Sequence, residues 1–133
     1  MLLDVAQRVQ AGQPIDLAMG YLNTIWLTDA NAIALQTLGL ASSPPMVLNV
    51  TGPELLSVRK ICEEFGECLG RPVAFQGTES QTALLSNSQK AVQLFGPPRV
   101  SAGQMIRWTA DWLNRGLPTL NKPTHFESRD GKF

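Results

Sequence analysis

Apolar side chains recur at Leu2, Val5, Ala6 and Val9, and Gly12 and Pro14 close the run. That spacing predicts a helix over Leu2–Ala11. No capping residue precedes it, so the chain reads as though entered in the middle of something larger. Ile15, Leu17 and Met19 then alternate with Asp16 and Ala18, the pattern of a short strand, and Thr24–Leu27 either extends it or makes a second strand. Thr28 or Asp29 is placed to cap a helix through Ala30, Ile33, Ala34 and Leu38 that stops at Gly39.

Ser42-Ser43-Pro44-Pro45 is a loop, and it leads into Met46–Val50, a nearly continuous apolar run bounded by turn residues. Such a run predicts a strand buried on both faces. Thr51-Gly52-Pro53 turns the chain into a helix capped by Ser57, with Val58, Ile61, Cys62, Phe65, Cys68 and Leu69 as its stripe and Gly70 as its stop. A short strand at Val73–Phe75 follows, then a helical run from Asn87 to Phe95 that ends at Gly96 before two prolines. In the last helix Ser101 and Gln104 have capping-box spacing, Val100 and Met105 stand where a hydrophobic staple belongs, and Met105, Ile106, Trp108, Trp112 and Leu113 are its expected buried stripe. The fold class is therefore α/β, or α+β as an isolated piece, with about five helices and a small sheet of three or so short strands. Residues 1–116 form the folded region and 117–133 a polar, largely irregular tail, a surface extension or a strap across a neighbouring domain.

The chain has 133 residues, 11 Lys+Arg and 11 Asp+Glu, and 44% of it is apolar. Zero net charge excludes a general electrostatic grip on nucleic acid or on an acidic membrane. The charge is uneven: from Lys90 onward seven basic residues stand against three acidic ones, a net of +4, so the first 89 residues carry −4. The basic residues are singly spaced, which reads as a solvated surface. Cys62 and Cys68 lie six apart in one predicted helix, which separates them by about 600° of turn and about 9 Å of rise, too far to bridge. Both are expected to be reduced core or boundary residues. No signal-peptide pattern and no apolar run long enough to span a bilayer is present, so a cytoplasmic location is the expectation.

The candidate chemistry is mostly negative. The eleven glycines contain no G-x-G and no G-x-x-G, which a dinucleotide-binding loop requires, and Thr51-Gly52-Pro53 reads as a turn because its proline removes a backbone donor. One histidine, His125, and two divergent cysteines cannot assemble a metal site, and His125 reads as a surface or packing residue. Glu63, Glu64 and Glu67 lie on an outer helix face and are expected to be solvated. Trp108 and Trp112 follow helical spacing and are expected in the core. Trp26 differs: with Tyr21 and Asn23 it brings aromatic and amide groups to a strand end, where a ligand pocket gathers polar contacts, so these three are the candidate substrate-binding residues. No catalytic, cofactor or metal residue is assigned.

Several blocks in order resemble one family. Gly12-Gln13-Pro14-Ile15, Trp26-Leu27-Thr28-Asp29-Ala30-Asn31-Ala32, Val47-Leu48-Asn49-Val50-Thr51-Gly52-Pro53-Glu54, Leu69-Gly70-Arg71-Pro72-Val73, Leu94-Phe95-Gly96-Pro97-Pro98 and Ile106-Arg107-Trp108 are similar to successive segments of the NAD-dependent epimerase/dehydratase family, the extended short-chain dehydrogenase/reductases. The resemblance runs from Leu2 to about Gly116 and matches the C-terminal part of such an enzyme. It implies a substrate-binding region whose N-terminal Rossmann half would carry NAD(P) on a glycine-rich loop and a catalytic Tyr-x-x-x-Lys pair. Neither signature stands in this sequence: the one tyrosine, Tyr21, has Ile25 four residues on. Family members that handle nucleotide-sugars commonly hold the diphosphate with arginines. Asn23 stands about where the first would fall and Gly77–Gln81 offers none for the second, which argues against a diphosphate ligand.

The leading expectation is thus a C-terminal substrate-binding portion of an epimerase/dehydratase-like oxidoreductase, inactive alone, binding no cofactor itself and completed by a Rossmann domain in cis or in trans. The alternative is a free-standing small-molecule-binding or assembly module that closes an exposed sheet edge by homodimerisation.

Overall fold

The computed structural model describes residues 1–120 together with Lys122 and Thr124. Its elements run α1 (Leu2–Gln10), β1 (Ile15–Asp16), β2 (Tyr21–Leu22), α2 (Leu27–Thr37), β3 (Leu56–Ser57), α3 (Val58–Leu69), β4 (Phe75–Gln76), α4 (Gln89–Phe95) and α5 (Ala102–Asn114), with a 3-10 turn at Leu38–Leu40 after α2. Mixed α/β with five helices is the expected class. The strands are four two-residue pieces paired as two separate ladders. The chain divides into two compact units, one of Met1–Leu22, Leu56–Leu84 and the chain from Gly103 onward, the other of Asn23–Leu55 and Leu85–Ala102.

The first unit holds a continuous core. The alternation read in the sequence is visible in burial: Ile15 and Leu17 are fully buried and Met19 nearly so. Only Ile15 and Asp16 count as ladder residues, paired parallel to Phe75 and Gln76. β2 pairs antiparallel with β3, setting Tyr21 opposite Ser57 and Leu22 opposite Leu56. Leu56–Ser57 is a strand the sequence pattern did not suggest, because two residues are too few to show a period. Around these strands α1 contributes Val5, Ala6 and Val9, α3 contributes Val58, Ile61, Cys62 and Phe65, and α5 contributes Ile106, Ala110 and Leu113.

Both ends of α3 are as the sequence predicts. The Ser57 hydroxyl accepts the Lys60 N–H at 3.4 Å, and Gly70 ends the helix in the left-handed conformation at φ 62°, where a side chain would be strained. Arg59 on this helix donates to Glu79 at 2.7 Å and lies over the Phe75 ring, 4.6 Å from its centroid. Cys68, expected on the buried stripe, is exposed, whereas Cys62 is buried. At 100° per residue Cys68 falls about 20° from Ile61, at the edge of the stripe, and it stands in the last turn of the helix, so spacing alone does not separate it from the core.

The tryptophans of α5 are likewise displaced from the expected core. Trp108 is 47% and Trp112 46% exposed, while Met105, Ile106, Ala110 and Leu113 are buried. Ile106, Ala110 and Leu113 follow i, i+4, i+7 spacing, and that stripe places Trp108 and Trp112 on the opposite side of the helix. The Trp112 indole N–H donates to the Pro118 carbonyl at 3.0 Å. Beyond α5 the described tail residues form no helix or strand. They bond back to α1 instead, through Gln7 to the Thr119 hydroxyl at 3.4 Å and through Thr124 to the Asp4 carboxylate. His125 lies outside the described residues.

The second unit is built on α2 and α4, with Ile33 and Ala91 as its buried apolar side chains. Neither Thr28 nor Asp29 caps α2: the helix starts earlier, with Trp26 at the N-cap and no side-chain cap bond. Asp29 sits inside the first turn and is spent elsewhere, as described below. The largest departure is Met46–Val50, which belongs to no strand among the described residues; Val47 is 81% and Met46 36% exposed. An apolar run becomes a doubly buried strand only where neighbours pair with it on both sides, and no strand of this unit does so. Among the described residues no helix is long and apolar enough to cross a membrane.

Candidate functional site

Asn23 begins the second unit, just past β2. Its carboxamide grips one residue from both sides, donating to the Ser86 carbonyl at 2.6 Å and accepting the Ser86 N–H at 3.3 Å. This pair of bonds joins residues 63 apart in sequence and holds the segment before α4 in place. A second contact fixes the turn opposite: the Gly52 N–H donates to the Thr24 carbonyl at 3.1 Å. A Cβ on residue 52 would stand 2.1 Å from that oxygen, so only glycine allows the approach. This is the structural reason for the Thr51-Gly52-Pro53 turn.

Between these fixed segments lies a cavity of about 550 Å³, lined among others by Asn23, Glu54, Leu55, Leu85, Asn87 and Ser88. Ser88 is 3% exposed, and Asn87 turns its side-chain oxygen back to accept the Gln89 N–H at 2.9 Å. Leucine and valine carbon makes up much of the remaining wall. Asn23 retains one amide hydrogen and one lone pair beyond its two bonds to Ser86. The described lining residues include amides, hydroxyls and the single carboxylate of Glu54, and no Lys or Arg. Such a wall can bind and orient a neutral polar ligand. It offers no fixed cation to a diphosphate and no pair of titratable groups for acid/base exchange.

A buried carboxylate supports the same unit. Asp29 is 8% exposed and one of its oxygens accepts the N–H groups of Arg99 and Val100 at 3.0 and 2.9 Å. Two charge-assisted bonds to backbone N–H groups satisfy a carboxylate that would otherwise be costly to bury. They also tie the Pro97–Val100 link to α2.

The three residues singled out in the sequence have different fates. Asn23 lines the cavity. Trp26 belongs to the same unit and serves as the N-cap of α2, outside the cavity lining. Tyr21 belongs to the other unit, on β2, and is 39% exposed. The sequence reading missed Glu54, Leu55, Leu85 and Ser88. Ser88 precedes a helix in the manner of a cap, which is the one local signal that marked the neighbourhood; the approach of residues 53–55 to residues 85–93 is tertiary.

No protein-family model matches the sequence, and no curated protein matches it. Solved structures do match in fold. The UDP-glucose 4-epimerase of Thermus thermophilus, solved as a complex with NAD, superposes with a TM-score of 0.65 at 19% identity over 85% of this chain and 39% of its own. The UDP-glucuronic acid 4-epimerase of Bacillus cereus in complex with NAD gives 0.67 at 16% identity, over 86% of this chain and 38% of its own. WbmG of Bordetella bronchiseptica, in complex with NAD and UDP, gives 0.62 at 21% identity, over 87% and 40%. The chain therefore has the fold of about two-fifths of these NAD-bearing structures.

Proposed function

We propose that this chain is the substrate-binding portion of an NAD-dependent epimerase/dehydratase-like oxidoreductase, and that hydride chemistry is supplied by a cofactor-binding half that the chain does not contain. The carrying observation is the lopsided match: most of this chain aligns with well under half of each neighbour. The glycine spacing and the lone tyrosine support the same reading from the sequence side. With no dinucleotide loop and no Tyr-x-x-x-Lys pair, the chain alone binds no NAD(P) and transfers no hydride.

The ligand is a neutral, hydroxyl-rich molecule of sugar size rather than a nucleoside diphosphate sugar. Its hydroxyls meet the free donor and acceptor of Asn23, and Asn87 and Ser88 complete the polar wall. Tyr21 and Trp26 are proposed to contact substrate in the completed enzyme. Amide-resolved NMR titration of the chain with NADH, UDP and free hexoses tests this reading. Hexose-dependent shifts at Asn23, Glu54, Asn87 and Ser88, with none from NADH, are expected. Saturable NADH binding by the chain alone overturns the missing-half reading. UDP shifts centred on Asn23 overturn the neutral ligand.

A further inference from the structure

The cavity wall that Asn23 shares carries one ionisable side chain, Glu54; its other polar groups are the amides and hydroxyls of residues such as Asn87, Ser88 and Gln93. Glu54 is exposed, and its carboxylate takes part in no ion pair or side-chain hydrogen bond among the described residues. The unit's other charged residues, Asp29, Lys90 and Arg99, lie outside the lining. Asp29 is already bonded to two backbone N–H groups. The open N–H groups at the start of α4 would draw an anion, but the Asn87 side-chain oxygen accepts one of them, the Gln89 N–H, at 2.9 Å. The wall is therefore neutral except for one uncompensated negative charge.

Glu54 is also held in place. Two residues before it the Gly52 N–H donates to the Thr24 carbonyl, and two residues after it Leu56 pairs with Leu22. A tethered carboxylate accepts two sugar O–H groups, so a neutral polyol finds a partner there. Charged ligands fare differently. Across about 6 Å of water-like surroundings a unit charge on the ligand shifts a binding constant about threefold, weaker for an anion and tighter for a cation, and about 1 M salt removes the difference. Resting on the sugar-binding reading of this cavity, we infer that Glu54 is its specificity-determining residue: it turns away acidic sugars and favours sugars that bear an ammonium group. The same repulsion acts on a diphosphate, in addition to the lack of a cation to hold it.

The test titrates the purified chain, followed by amide-resolved NMR, with glucose, glucuronate and glucosamine at mildly acidic pH, where the second is an anion and the third an ammonium. Saturable shifts at Asn23, Asn87 and Ser88 are expected. At low salt glucosamine binds about threefold more tightly than glucose and glucuronate about threefold more weakly, and the three converge in about 1 M salt. Glu54→Gln removes the ranking and Glu54→Lys reverses it; the position is exposed, so both variants fold. Glucuronate bound as tightly as glucose by the unaltered chain, or a ranking that survives high salt or either substitution, overturns the role of Glu54 and leaves the cavity reading standing. A lack of saturable shifts at the three lining residues with every one of the sugars overturns both.

Discussion

Single atoms decide several properties of this protein. At Gly52 a Cβ would approach the Thr24 carbonyl to 2.1 Å, and neither backbone can yield without losing the hydrogen bond between them. Gly52→Ala should therefore cost about 3 kcal/mol of stability, at the upper end for overpacking, in chemical denaturation of the purified chain. The two thiols also differ by environment. Burial, with Glu63 nearby, pushes the Cys62 thiol up to about 12, whereas Cys68 is exposed. A thiol reagent at mildly alkaline pH should modify one cysteine in the native chain and both after unfolding, counted by mass spectrometry. Because the raised value disfavours the thiolate in the folded state, stability is intact below the ordinary thiol range and falls as pH rises from there toward about 12. Glycine at a turn and cysteine on a helix were both legible in the sequence. Which carbonyl the glycine must pass, and which cysteine is enclosed, were not, because both depend on segments remote in the chain.

At the scale of elements, helices were read more faithfully than strands. The cap and stop of α3, Ser57 and Gly70, flank it directly and follow local rules, and its stripe does so except at Cys68. α5 was located equally well, yet its large aromatic side chains drew the buried face toward Trp108 and Trp112, whereas the smaller Ala110 completes the stripe that packs. Size is a poor guide when two faces of one helix are both partly apolar. At α2 the expected cap, Asp29, instead bonds two N–H groups 70 and 71 residues away. Asp29→Ala leaves those donors unsatisfied beside a buried helix turn and should destabilise by about 2 kcal/mol, with Asp29→Asn milder because its carbonyl oxygen still accepts. Thermal unfolding of both variants measures the difference.

The two units differ in how much apolar surface they enclose. The first buries a cluster drawn from three helices and the short strands, while the second encloses Ile33 and Ala91 and exposes Leu27, Leu35, Leu38 and Val47. Local opening is easiest where few apolar contacts resist it. Hydrogen–deuterium exchange on the isolated chain should accordingly find the slowest amides in α1, α3 and α5, with α2 and α4 exchanging faster. Uniform protection across the two units would contradict this ranking.

Much about this protein follows from sequence order alone. Helix positions, the turn at Thr51-Gly52-Pro53, the absence of a dinucleotide-binding glycine pattern and the likeness to the C-terminal part of an epimerase rest on residue types at short or ordered spacing, which one chain displays directly. Tertiary structure decided the rest: that Asn23 clasps Ser86, that residues of 53–55 and 85–93 line a cavity with no Lys or Arg among the described lining residues, and that Met46–Val50 is exposed or half-buried instead of buried. A strand's burial is a property of its neighbours. An apolar run states what it would bury, and only the fold shows whether the partners are there.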